Sequence, residues 1–359
     1  MFEKRNVILL VLVMFLTVVF TGQIFAGGGG QQSSPPASAP AATPAAPATQ
    51  AGGAVPKPAN YPSKPIRWIV PAAAGAPIDL PSRALAEILS LGQSVVVENM
   101  AGANQTLGTA EAARRDPDGY TLLTMANACG IAQPLITKLT YKVSDFRHIA
   151  MLSPTVTATI LVRADSSLNS IEDFLKLLNS GKPYAYGVPN AGGYGHLAIA
   201  NVLNQLGKFD DPNGTFVAYN GGPEAVMSVL NRETDFAVID DIEAFPKVQN
   251  KEAKVIAILH NETCALFPDV KLISNHGIKG TETFIGLRWI SVRKEVPEPI
   301  VAWLKQEINK VLVSKAYQDI LAKMGFGPMR VYSEKEVTDI IAAAAVDYEA
   351  VLKNLGLIK

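Results

Sequence analysis

Three glycine-containing loops, residues 71–79, 188–196 and 219–223, each follow an apolar strand-like run and precede a helix-like one. Glycine lets the backbone approach a ligand, and a helix N-terminus offers free amides and the positive end of a dipole to an anion. One such loop reads equally well as a tight turn. Three in one chain, at the carboxyl ends of strands, point to an anion-binding cleft. Catalysis finds less support, because the sequence holds no Gly-x-Ser-x-Gly elbow, no Gly-x-x-x-x-Gly-Lys phosphate loop and no Gly-x-Gly-x-x-Gly after its first strand. His196 is the one histidine in a glycine loop, with no nucleophile or orienting acid nearby in sequence, so a ligand contact or a helix-start hydrogen bond is expected of it rather than general-base work. Asp240 and Asp241 close a strand-like run. Adjacent strand residues point to opposite faces, so one is expected to line a cleft and the other to be a solvated charge.

These groups need elements to hold them. Ile66–Val70 reads as a first strand, followed by a helix that Asp79 is expected to cap and Gly92 to stop, with Pro81 tolerated in its first turn. Apolar runs at 95–97, 120–123, 159–162, 184–188, 216–219 and 236–239 continue the strand series. Ser170 with Asp173 forms a capping box for one intervening helix; another is read from about His196, and Pro223 opens a third. Toward the end, Pro299 opens one helix, and Ser333 with Glu336 caps another whose inner face carries Val337, Ile340, Ile341, Ala344, Tyr348 and Val351. Strand alternating with helix predicts largely parallel sheets covered on both faces, in two lobes.

The chain has 359 residues, 48% hydrophobic and 18% charged, which excludes a single small module and a disordered chain. Lys plus Arg equals Asp plus Glu at 32 each, leaving no basic surplus for a phosphate backbone, and no nucleic acid is expected as a partner. Cys129 and Cys264 lie far apart with only four histidines in the chain, so no zinc cluster or disulfide scaffold can be assembled, and no cofactor or metal is expected. Lys4 and Arg5 precede an apolar run, a pattern that predicts a secretory leader over residues 1–26 with cleavage after Ala26. The charge-free stretch 7–25 also approaches the roughly 20 residues of an uncleaved membrane anchor. Residues 27–60, mostly Ala, Pro, Gly, Ser and Thr, predict a disordered spacer.

Tyr61-Pro62-Ser63-Lys64-Pro65-Ile66-Arg67, then Val70-Pro71, Gly75, Asp79 and Arg83, resemble the start of the tripartite tricarboxylate transporter substrate-binding receptors, the Bug family. The resemblance continues through Val97-Glu98-Asn99, Gly102-Ala103, the specific string Pro117-Asp118-Gly119-Tyr120-Thr121-Leu122-Leu123, Pro134, Tyr141 and Asp145-Phe146. It then takes in the loop from Gly192 to His196-Leu197, Tyr219 with Gly221-Gly222-Pro223, Asp235, and Phe267-Pro268-Asp269-Val270.

That resemblance implies an α/β fold of the two-lobed periplasmic binding protein type (Venus flytrap, type II), each lobe a mixed sheet flanked by helices. Lobe 1 would comprise residues 61–157 plus 283–359 and lobe 2 residues 158–282. It also implies a non-enzymatic, extracytoplasmic monomer that binds a small carboxylate between the lobes and hands it to integral membrane permease subunits. The ligand contacts it implies are Ala73, Ala74, Gly75, Ala76, Asp79, Asn127, Gly192, Gly193, Tyr194, His196, Tyr219, Gly221 and Asp240. Cys129 and Cys264 would fall on different lobes as free thiols. Two other readings are a sensory receptor of the same fold docking on a membrane kinase, and an exported α/β hydrolase.

The chain departs from the family pattern at residues 72–79, where Ala72-Ala73-Ala74-Gly75-Ala76-Pro77-Ile78-Asp79 lacks the usual aromatic wall and a hydroxyl donor. Gly193 stands where a serine is common, Asn104-Gln105 replaces a glycine pair, and Lys271-Leu272 replaces Pro-Thr. A lost hydroxyl removes a hydrogen bond contributing roughly 1 kcal/mol net, and a lost ring enlarges the pocket.

Overall fold

A computed structural model describes residues 54–281, 284–354 and 358. The leader and most of the Ala/Pro-rich stretch lie outside the described residues. The end of that stretch, residues 54–60, lies on the body: the Val55 N–H donates to Gln306 Oε1 at 2.7 Å, and Lys57 Nζ sits 5.6 Å over the Trp303 ring. Among the described residues no helix is long and apolar enough to cross a membrane.

The chain opens as β1 (Ile66–Val70), α1 (Asp79–Ile88), β2 (Val95–Asn99), α2 (Thr106–Arg114), β3 (Thr121–Ala126), the short α3 (Gln133–Ile136) and β4 (Phe146–Met151). It continues through β5 (Val156–Arg163), α4 (Ile171–Asn179), β6 (Tyr184–Val188), α5 (Tyr194–Gln205), β7 (Gly214–Ala218), α6 (Gly222–Leu230), β8 (Phe236–Asp240), α7 (Asp241–Gln249), β9 (Ala253–Ile258) and β10 (Ile285–Gly286). It closes with β11 (Arg288–Arg293), α8 (Glu298–Leu312), α9 (Lys315–Lys323) and α10 (Glu334–Asn354).

Two sheets result. The first runs β2-β1-β3-β11-β4 and the second β10-β5-β8-β6-β7, with β9 beside β5. β1 pairs parallel with β2 and β3, and β6 parallel with β7 and β8, as the strand-helix alternation requires. The largely parallel reading needs correction at β11 and β5. β11 lies antiparallel between β3 and β4, and β5 is antiparallel to β8, β9 and β10, so both sheets are mixed. The first sheet is completed only after the chain has built the second.

Local signals explain the helix starts. Ser170 Oγ accepts from the Asp173 N–H at α4, and at α10 Ser333 and Glu336 exchange side-chain and backbone hydrogen bonds reciprocally. Val337, Ile341, Ala344, Tyr348 and Leu352 then bury one face of α10 at helical spacing. In the first sheet Trp68 and Trp289 are fully buried, and the Trp68 indole N–H is satisfied by Thr124 Oγ1 at 2.8 Å. In the second, Phe236 stacks on Tyr186 at 5.4 Å and meets Phe174 edge-on at 5.2 Å. Each such ring contributes roughly 1.5–3 kcal/mol through burial.

His148 on β4 is sealed into the first core, where Trp289 Nε1–H donates to its Nδ1 at 3.2 Å and Ser291 Oγ lies 2.9 Å away. Burial pushes its pKa down to about 4, only weakly opposed by the charge of Glu334. The unfolded chain, titrating near the ordinary value of 6.5, therefore takes up the proton first as pH falls. The stability due to the neutral ring is full above about pH 6.5 and declines by up to about 1.4 kcal/mol per pH unit toward pH 4. Urea unfolding at pH 7 and pH 5 is expected to show this loss in the wild type and a shallower one in His148→Gln.

Candidate functional site

β3, β8 and β11 all end or begin at one place. Asp240 closes β8 in the second sheet and Arg288 opens β11 in the first, and Arg288 Nη2 donates to Asp240 Oδ2. Both residues are buried, at 7% and 5% exposure, so a nearly dry ion pair ties one sheet to the other. The Tyr194 hydroxyl, from the first turn of α5, donates to the second Asp240 oxygen. The Tyr194 ring reaches that spot because Gly286 has no side chain; a Cβ there would stand 3.0 Å from the ring and 2.4 Å from Val156.

A cavity of about 110 Å³ opens beside this cluster, several times the ~10–15 Å³ that one water needs. Its walls come from both sheets: Pro71 to Ile78 and Gly102 to Gln105 in part, Asn127, residues 193–196, residues 220–222, Glu243 and Leu287 with Arg288. The first turns of α5 and α6 face it. Their leading amides have no partner within the helix, so two positive helix ends and one guanidinium converge on a single small space.

Glu243, in the first turn of α7, lies against the start of α6. A Cβ on Gly222 would fall 1.6 Å from Glu243 Oε1, so only glycine admits the carboxyl there. Burial, and next the charge of Asp240, raise the Glu243 pKa well above its ordinary value. Asp241 behaves similarly: burial and the neighbouring Asp240 push it up to about 6. The expectation of a solvated Asp241 is therefore corrected. It is 8% exposed, accepts from its own helix at the Ile242 N–H at 2.8 Å, and receives the Cys264 thiol at 3.3 Å. The chain turns from strand to helix between the two aspartates, which removes the strand alternation the sequence reading relied on. Cys129 and Cys264 are both buried free thiols.

Of the residues named from sequence, Ala76, Asn127, Gly193, Tyr194, His196, Gly221 and Asp240 border this cavity, whereas Ala73, Ala74, Gly75, Asp79, Gly192 and Tyr219 do not. Asp79 does not cap α1 through its side chain. Its buried carboxylate instead accepts from the Gly75 N–H at 2.9 Å, Arg83 Nη2 at 2.9 Å and Asn99 Nδ2 at 2.8 Å, which closes the loop on itself. Gly75 and Gly192 have φ of +82° and +77°, the left-handed region where side chains are strained. A Cβ at Gly75 would meet nothing within 4 Å, so the backbone conformation, not a close neighbour, is what favours glycine there.

His196 holds the helix-start hydrogen bond: its Nδ1 accepts from the Gly192 N–H at 2.9 Å, and its ring stacks on Phe216 at 4.5 Å. Burial lowers its pKa to about 4, so it carries no charge at neutral pH. Asn127 has its amide fully committed. Nδ2 donates to Ile285 O at 3.0 Å and to the Tyr348 hydroxyl at 2.9 Å, while Oδ1 accepts from the Leu287 N–H at 2.6 Å. It clamps the strand that leads from the second sheet back to the first.

Sequence reading missed Arg288, Glu243 and Gln105. Arg288 sits immediately before the apolar Trp289-Ile290, and a charge at the head of an apolar strand is the one signal that could have marked it. Ala103, Asn104 and Gln105, the last two of which depart from the family pattern, take three consecutive positive φ values of 48°, 51° and 71° ahead of α2. Such conformations cost of order 1 kcal/mol or more each in non-glycine residues and gather at functional loops.

Two mixed sheets flanked by helices, with a polar cleft where their strands meet, define a two-lobed binding protein of the periplasmic type. The family model described as "Tripartite tricarboxylate transporter family receptor" matches residues 82–357, and the chain belongs to that family of solute-binding receptors. Protein BugT of Bordetella pertussis is 29% identical over 320 residues, 85% of this chain and 94% of that protein. The structure of the periplasmic binding protein BugD superposes with a TM-score of 0.73 at 25% identity, covering 83% of this chain and all of that one. MatC from Rhodopseudomonas palustris with bound malate superposes at 0.72 with 22% identity, covering 81% of this chain and 100% of its own.

Proposed function

We propose that this protein captures a small carboxylate in the cleft between its lobes, outside the cytoplasm, and delivers it to a tripartite tricarboxylate-type membrane permease. The observation that carries the reading is the convergence of the α5 and α6 N-termini with Arg288 on one cavity. Membership of the receptor family supports delivery to a permease, and the malate held by a protein of the same fold supports a carboxylate as cargo. The lobes we propose are 61–157 with 283–359, and 158–282. The passage from β4 to β5 supports the first bound; the return to the first sheet falls between β10 and β11, a few residues past the second bound, because β10 still pairs with β5. Export would depend on the N-terminal leader.

A ligand that binds only the folded form adds RT ln(1 + [L]/Kd), about 2.7 kcal/mol at a hundredfold excess over Kd. A thermal-shift panel is expected to show at least one small carboxylic acid raising Tm, with its neutral amide doing far less. Equal shifts from acids and amides would remove the anion cleft.

A further inference from the structure

The sequence contains two Asn-Gly steps, Asn213-Gly214 and Asn220-Gly221, and the fold treats them differently. In such a step the glycine amide nitrogen can attack the asparagine side chain, because no Cβ stands beside it. At the second step the Gly221 nitrogen would bond to Asn220 Cγ while the Cγ–Nδ2 bond breaks. The displaced amide proton leaves with Nδ2 as ammonia. Water then opens the five-membered imide, giving aspartate by hydrolysis at the side-chain carbonyl and isoaspartate by hydrolysis at the main-chain carbonyl. Water is the only co-reactant.

Ring closure needs an unbonded glycine N–H, an unbonded asparagine side chain and room for the ring. Asn213-Gly214 meets none of these. The Gly214 N–H donates to Asp211 O at 2.9 Å, and Asn213 Nδ2 donates to Asp211 Oδ1 at 3.0 Å. A Cβ on Gly214 would fall 2.8 Å from the Tyr184 hydroxyl. Asn220-Gly221 meets all three. Asn220 is exposed, and neither its side-chain amide nor the Gly221 N–H has a hydrogen-bond partner among the described residues. A Cβ on Gly221 would meet only Pro223 Cδ, at 3.8 Å. The Asn220 N–H does donate to Glu224 Oε2 at 3.2 Å, but that bond holds the side of the residue away from the ring that forms.

Asn220, Gly221 and Gly222 line the cleft, and Gly221 leads directly into the first turn of α6. Conversion replaces a neutral amide there with a carboxylate. The new charge repels a bound anion and competes with it for the same free helix amides.

We propose that Asn220-Gly221 is a self-deamidation site through which the folded receptor loses its affinity for an anion. The loss of binding rests on the carboxylate-receptor reading above, whereas the deamidation stands on the local geometry alone.

The test holds the folded full chain in warm, mildly alkaline buffer and samples it over days. Peptide mapping by mass spectrometry reads residues 213 and 220, and calorimetric titration with succinate, malate and adipate reads binding. Residue 220 is expected to convert to a mixture of aspartate and isoaspartate at least tenfold faster than residue 213. Affinity for whichever acid binds the fresh protein is expected to fall at least tenfold on conversion, and freshly made Asn220→Asp should show the same loss. Gly221 has an extended φ of 169°, which any residue adopts, so Gly221→Ala can be made to shield the attacking nitrogen. In that variant, checked by a melting curve, conversion of residue 220 is expected to slow at least tenfold. If it does not fold, the comparison of residues 220 and 213 in the wild type decides. Asn220 converting no faster than Asn213 in the folded protein would overturn the site, and full conversion with undiminished affinity would overturn the loss of binding. If none of the three acids binds the fresh protein, the receptor reading is what fails, and the mass comparison decides the deamidation site alone.

Discussion

Arg288→Ala is expected to destabilise the protein by about 3–5 kcal/mol, the range for removing one partner of a buried ion pair. The loss arises mainly from what remains. Asp240, 7% exposed, would be left buried beside Asp241 and the Glu243 carboxyl with no cation opposite it, keeping the Tyr194 hydroxyl as a hydrogen-bond partner. The pair joins β8 of one sheet to β11 of the other, so the variant should also loosen the lobes relative to each other. Replacing both partners by apolar residues of similar size, Arg288→Met with Asp240→Leu, is expected to recover most of the stability, because no uncompensated charge is then left behind. Urea unfolding of the single and double variants measures this. A single variant as stable as the wild type would show that the pair is not buried in solution.

Asn127→Ala is the second large effect. One side-chain amide satisfies the Leu287 N–H, the Ile285 carbonyl and the Tyr348 hydroxyl. Each buried group left unpaired costs roughly 1–3 kcal/mol, so for three groups a loss of about 3–9 kcal/mol is expected. Tyr348→Phe removes only the third partner and should cost about 1 kcal/mol, a comparison that isolates the clamp on residues 285–287 from the packing of α10. Hydrogen exchange at the Leu287 amide is expected to accelerate strongly in Asn127→Ala and little in Tyr348→Phe.

How far the sequence could be read depended on whether a signal was local. The capping pairs Ser170–Asp173 and Ser333–Glu336 lie within four residues and were legible, as were the predominantly apolar strands β1, β3, β6 and β8. β4 and β11 were not read. Arg147 and His148 interrupt the first, and arginines bound the second at both ends. The place of β11 is set by pairing Arg288 with Ala126 across 162 positions, which no local pattern records. The glycine loops directed attention to the correct end of the strands, yet glycine types could not tell Gly75, required by a turn, from Gly222, required by the Glu243 carboxyl. The ion pair at the centre of the site was invisible for the same reason, since its partners stand 48 residues apart and meet only when the two sheets do.

If the cleft holds a small carboxylic acid, the purified protein should carry one. Native mass spectrometry of the full-length protein, purified without added ligand and then denatured to release what it carries, tests this most directly. A single small acid whose fragmentation shows a carboxyl group is expected, retained by the wild type and lost from Arg288→Met paired with Asp240→Leu. A released molecule without a carboxyl group, such as a neutral sugar, would contradict it.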